Sequence, residues 1–100
     1  MLVEMAEFGN VLGTRVAGRE AYQIIMERTS FLSDKVTFDF SGVTTITNSF
    51  ADEVFGRMVV EMGMDVLRER TAFKNIGGMW ARVVRRAMDS HVEDLAAEPA

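Results

Sequence analysis

The chain has 100 residues, enough for one domain and too few for two with separate cores. Apolar residues make up 48% and charged residues 26%, which excludes a disordered chain, and there is no cysteine, which excludes disulfides and thiol chemistry. The formal charge of −4 gives no global attraction to phosphate backbones, so nucleic acid is not an expected partner.

Taken in chain order, Leu2 to Phe8 reads as a first strand, with Val3 and Met5 on one side and Glu4 on the other. This start has no basic region before an apolar one and is not a secretory signal, and no apolar run approaches the roughly 20 residues of a membrane span. The expectation is a cytoplasmic protein with no membrane partner. Gly9-Asn10 and Gly13 punctuate the chain, and Thr14 is placed to cap the helix that follows. Ala17, Ala21, Ile24 and Ile25 recur at helical spacing, and Gly18 among them points to a close helix–sheet approach.

Ser33-Asp34 closes that helical region, and Lys35 to Phe40 is the clearest strand. Val36, Phe38 and Phe40 alternate with Thr37 and Asp39, so one face is buried and the other partly polar. Ser41-Gly42 turns the chain, Val43 to Ile46 connects, and a helix opens near Asn48-Ser49. Its apolar stripe is Ala51, Val54, Phe55, Met58 and Met62, with Asp52 and Glu53 in the first turn and Gly63 as its stop. Thr71 to Asn75 reads as another strand, and a last helix runs from about Met79 to Ser90 on Trp80, Val83, Val84 and Ala87. The acidic segment 91–100 is expected to fray, which leaves residues 1–90 as the domain.

The predicted fold is therefore α/β, in the order β-α-β-α-β-α, with a small mixed sheet and helices mainly on one face. In such sheets ligands and partners engage loops beyond the carboxyl ends of the strands. Here that edge is Gly42 to Ser49.

Thr47-Asn48-Ser49-Phe50-Ala51-Asp52-Glu53 carries the strongest functional signal. Free N–H groups at a helix start favour a phosphoryl group, which at Ser49 adds about −1.5 to −2 charges. The structural alternative is that Asn48 or Ser49 simply caps the helix, with Asp52 completing a capping-box spacing. Asp39 either meets a partner or holds the Gly42 to Ser49 loop by accepting backbone N–H groups. Arg82, Arg85 and Arg86 fall within about one helical turn and read as a solvated face, as does Arg15. His91, the only histidine, lacks the partners that a metal site or a Ser–His pair needs and reads as an aid to the helix C-terminus. No nucleotide or metal signature occurs, no second carboxylate partners Asp39, and no cofactor is expected.

Val36-Thr-Phe-Asp-Phe-Ser-Gly-Val43, followed by Ile46-Thr-Asn-Ser-Phe-Ala-Asp-Glu-Val-Phe-Gly56, resembles the STAS-like family of unknown function. It is also similar to the anti-sigma-factor antagonists and the stressosome scaffold proteins. That resemblance implies a bacterial, non-catalytic regulatory module that works by protein–protein contact. It also implies phosphorylation of Ser49 by a histidine-kinase-like (GHKL) ATPase, with that ATPase or an anti-sigma factor as partner. Asn48 stands where the antagonists carry aspartate, and the glycine after their serine pair is absent. The alternative role is an unswitched structural or homo-oligomeric domain, which the methionine- and phenylalanine-rich content favours.

Overall fold

The computed structural model describes the backbone of residues 1–97 and the side chains through His91. Its strands are β1 (Leu2–Glu4), β2 (Val11–Leu12), β3 (Val36–Asp39), β4 (Thr45–Ile46) and β5 (Thr71–Lys74). Its helices are α1 (Arg15–Arg28), α2 (Asn48–Ala51), α3 (Arg57–Met62), α4 (Met64–Arg70) and α5 (Gly78–Ala97). Asp52–Gly56, between α2 and α3, is a π-helical stretch with helical dihedrals on both sides. Residues 48–62 thus form one continuous helical rod.

The strands form two sheets, and every ladder is parallel. The mixed sheet expected from sequence is corrected on that point. The larger sheet has the order β1-β3-β5, with Val3, Phe38 and Phe73 in register across it. Val3, Val36 and Phe38 are buried, whereas Leu2 and Glu4 are exposed. Alternation along a strand sends these two sets to opposite faces. The buried row meets the helical rod through Phe55, whose ring lies 5.3 Å from that of Phe38 in an edge-to-face contact. Phe73 joins them at 5.4 Å from Phe55 and 5.8 Å from Phe38.

Four local expectations change. The first strand stops at Glu4, and Met5–Phe8 winds into a 3-10 turn that buries Met5. Helix α1 ends at Arg28, before Ser33-Asp34: Ser30, Phe31 and Leu32 turn to positive φ, and the Thr29 hydroxyl donates to the Ile25 carbonyl at 2.8 Å. Its buried stripe runs through Gly18, Ala21, Tyr22, Ile25 and Met26, while Ile24 is 41% exposed. Tyr22 falls on this face four residues after Gly18, and the Arg57 guanidinium lies over its ring, 4.7 Å from the centroid. Helix α4 occupies a segment with no helical reading in the sequence, since only Leu67 of its seven residues is buried.

Helix α5 does not stop near Ser90 but continues to Ala97. No helix among the described residues is long and apolar enough to cross a membrane. The expectation of a frayed segment over 91–100 falls largely outside the residues whose side chains are described.

Candidate functional site

The site is built by the second, smaller sheet. Val11-Leu12 lies between the turn residues Gly9-Asn10 and Gly13, and Thr45-Ile46 in a segment read as a connection, yet they pair as β2 and β4. Thr47 extends the ladder, its N–H donating to the Leu12 carbonyl at 2.9 Å and its hydroxyl to the Gly13 carbonyl at 2.8 Å. Two helices leave this ladder side by side. Thr14 caps α1 by accepting the Ala17 N–H at 3.0 Å, and Thr47 caps α2 by accepting the Phe50 N–H at 3.2 Å. The positive ends of both helix dipoles are therefore neighbours.

Thr47 takes the capping role that the sequence offered to Asn48 or Ser49, which corrects that reading. The reason is positional: Thr47 is the last extended residue, at φ −88° and ψ 159°, whereas Asn48 and Ser49 are already helical. The Ser49 hydroxyl consequently has no hydrogen-bond partner among the described residues. Asn48 is exposed and Ser49 half-buried.

The rod lies tightly against α1. A Cβ built on Gly18 would fall 2.8 Å from the Glu53 Cβ and 3.2 Å from the Phe50 carbonyl oxygen. The close approach is helix to helix, where a helix–sheet contact was expected. It sets Arg15 beside the first turns of the rod, and its guanidinium reaches Glu53 at 3.0 Å and Asp52 at 3.1 Å. The Glu53 and Asp52 carboxylates hold Arg15 above its ordinary pKa. Arg15 is thus not the unattached surface charge read from sequence.

Asp52 faces a second partner. His91 Nε2 lies 2.6 Å from Asp52 Oδ1, so the histidine ties α5 to the rod and is not a helix-end group. Burial is the largest single influence on the Asp52 carboxyl and pushes its pKa up. The His91 and Arg15 hydrogen bonds and charges outweigh it and leave the pKa lowered. The π-helical winding is local to this residue: the Arg57 N–H reaches back five residues to the Asp52 carbonyl. Such windings recur at functional sites.

Asn48, Ser49 and Asp52 line a shallow hollow of about 260 Å³ together with Arg15 from α1 and Arg86 and Ser90 from α5. Two arginines therefore line the same hollow as Ser49, whose hydroxyl has no partner among the described residues. Asp39 is not among the lining residues. Its Oδ1 accepts the Ser41 N–H and the Asn75 amide, each at 3.0 Å, and Asn75 foremost and then Ser41 lower its pKa. That side chain joins the loops after β3 and β5. The three arginines of α5 do not act as one face: Arg86 borders this hollow, and Arg85 a different groove.

Arg15, Arg86 and His91 are the residues that sequence reasoning left out of the site. Arg15 and His91 reach Asp52 across 37 and 39 positions, and no local spacing carries such a signal. The one readable clue was the repeated Thr-Arg and Thr-Asn start of two helices after Gly13 and Ile46.

Parallel strands, a capped helical rod and loops gathered at one end define a small α/β domain of the STAS-like class. The family model described as a STAS-like domain of unknown function (DUF4325) matches residues 22–79, and the chain belongs to that family. The match includes Asp39 and Thr47 to Asp52 but neither Arg15, Arg86 nor His91. No match emerges among the curated proteins or among the solved structures.

Proposed function

We propose that this domain is a non-catalytic regulatory module of the bacterial cytoplasm that docks on a protein partner through its Gly42 to Asp52 edge. Phosphorylation of Ser49 is the switch, and the partner is a histidine-kinase-like ATPase or an anti-sigma factor. The observation that carries this reading is the Ser49 hydroxyl, unused by the cap and bordered by Arg15 and Arg86. A phosphoryl group there would bring about −1.5 to −2 charges next to two guanidinium groups and two helix N-termini. Asp52 would oppose it, but that carboxylate is already engaged by Arg15 and His91. Among the described residues the Ser49 hydroxyl makes no hydrogen bond to a base, so the reading rests on docking and its switch.

The test is capture of the native protein with its partners, followed by mass spectrometry and by affinity measurements on Ser49→Asp and Ser49→Ala. The expected result is phosphate on Ser49 and a partner affinity that Ser49→Asp changes by about tenfold or more. Equal affinities for wild type and both variants would overturn the switch. A second reading, self-association without a switch, is favoured by exposed Val11, Val16, Ile24 and Met79. Light scattering separates the two, since a monomer at high concentration leaves that reading without support.

A further inference from the structure

A second surface lies beside the larger sheet, between β5, α4 and α5. It is a groove of about 690 Å³ whose apolar lining includes Phe73, Ile76, Val84 and Met88, with Arg68 and Arg85 at its rim. Phe73 is 37% exposed here, although Phe38 beside it in the same row is fully buried.

Strand β5 ends the order β1-β3-β5, so one of its edges has no neighbour in the sheet. The Phe40 N–H donates to the Lys74 carbonyl at 2.9 Å, which turns Lys74 toward β3. In a parallel ladder both backbone groups of alternate residues point the same way. Ala72 and Lys74 therefore serve β3, and Thr71 and Phe73 point outward. The Thr71 N–H is taken by the Leu67 carbonyl, but both backbone groups of Phe73 face the open edge. An added strand would lie about 4.8 Å from β5, and every second side chain would enter the groove.

Charge selects the occupant. Among the described residues, Arg68 and Arg85 form no ion pair and Asp89 is the one acidic residue lining the groove. A second copy paired edge to edge would bring a second Arg68 and a second Arg85 to the same seam. A segment with apolar residues at alternate positions and carboxylates at its ends meets both the lining and the rim. We propose that the β5 edge and its groove bind such an extended acidic–apolar segment of a partner protein as an added strand. This surface shares no residue with the Ser49 hollow, so it stands whether or not Ser49 is a switch.

The test is fluorescence anisotropy on the full chain with a labelled peptide of sequence Glu-Glu-Val-Thr-Val-Thr-Val-Glu-Glu. Saturable binding is expected. It weakens by about tenfold or more in the Arg68→Glu/Arg85→Glu variant and with lysine in place of the peptide's glutamates. N-methylation of the peptide amides that face β5 abolishes it, and circular dichroism shows the variant folded. No saturation by about 1 mM, or equal affinity for the lysine peptide, overturns the proposal. So does a concentration-dependent dimer that Phe73→Glu abolishes, because the groove would then belong to a second copy.

Discussion

His91 and Gly56 occupy each other's space: a Cβ built on Gly56 would lie 2.8 Å from His91 Nε2 and closer still to Cδ2. The missing side chain lets the imidazole lie on the rod and reach Asp52 at 2.6 Å. Through Asp52 the same contact extends to Arg15, so three helical elements meet on one carboxylate.

Gly56→Ala is expected to destabilise the domain even though alanine is the better helix former by about 1 kcal/mol. Overpacking of this kind costs about 1–3 kcal/mol, because the ring or the backbone must move. In Gly56→Ala/His91→Ala the ring atoms that clash are gone. The double variant should therefore be more stable relative to His91→Ala than Gly56→Ala is relative to wild type. Urea denaturation of the four proteins measures the difference directly. Equal effects of Gly56→Ala in both backgrounds would mean that the histidine does not rest on Gly56.

Thr47 and Ser49 are expected to separate sharply. Thr47→Ala removes both the cap on the Phe50 N–H and the bond to the Gly13 carbonyl, at a cost of about 1–2 kcal/mol. Ser49→Ala removes a hydroxyl with no partner among the described residues and should stay within about 0.5 kcal/mol of wild type. Thermal unfolding of the two variants provides the check. A large loss in Ser49→Ala would return the serine to a structural role.

Asp52 sets an acid limit on this end of the molecule. Its folded pKa lies below the ordinary carboxylate value, which an unfolded chain would show at about 3.9. The ionised side chain thus contributes stability that is fully present above that unfolded value. The contribution is lost as pH falls through the lower, folded pKa. Asp52→Asn removes this contribution, so the variant should be less stable than wild type at pH 7. The gap should close as pH falls below about 4. Urea midpoints from pH 7 downward test the sign, and a gap that widened in acid would contradict it.

The elements legible in the sequence were those with a long local pattern. Val36, Phe38 and Phe40 alternate, the stripe from Ala51 to Met58 has helical period, and Thr14 stands before a helix. The two-residue strands β2 and β4 are too short to show alternation, and pairing over more than 30 positions is what defines them. The candidate site suffered most from this. Its segment, Thr47 to Asp52, could be read from a family-like motif. Arg15, Arg86 and His91 join it only through the ladder and the helix packing. Ile24, placed on the stripe from sequence, is turned outward because the buried face of α1 runs at helical spacing through Gly18, Ala21, Tyr22, Ile25 and Met26.

The aromatic cluster allows one further expectation, because its members differ in what surrounds them. Phe55 is 1% exposed, and its ring meets Phe38, Phe40 and Phe73 at 5.3, 6.2 and 5.4 Å. Phe55→Ala should cost about 3–5 kcal/mol, since the rod and the sheet face it from both sides and cannot collapse onto the space. For a domain stable by about 5–15 kcal/mol, that loss brings it close to unfolding. Phe73 makes similar ring contacts but opens onto the groove, so water already covers part of it. Phe73→Ala should cost less than about 2 kcal/mol, because a half-exposed ring forfeits less transfer energy and leaves no sealed cavity. Urea midpoints of the two variants decide the point. Comparable losses would mean that the groove is closed in solution and that Phe73 belongs to the core.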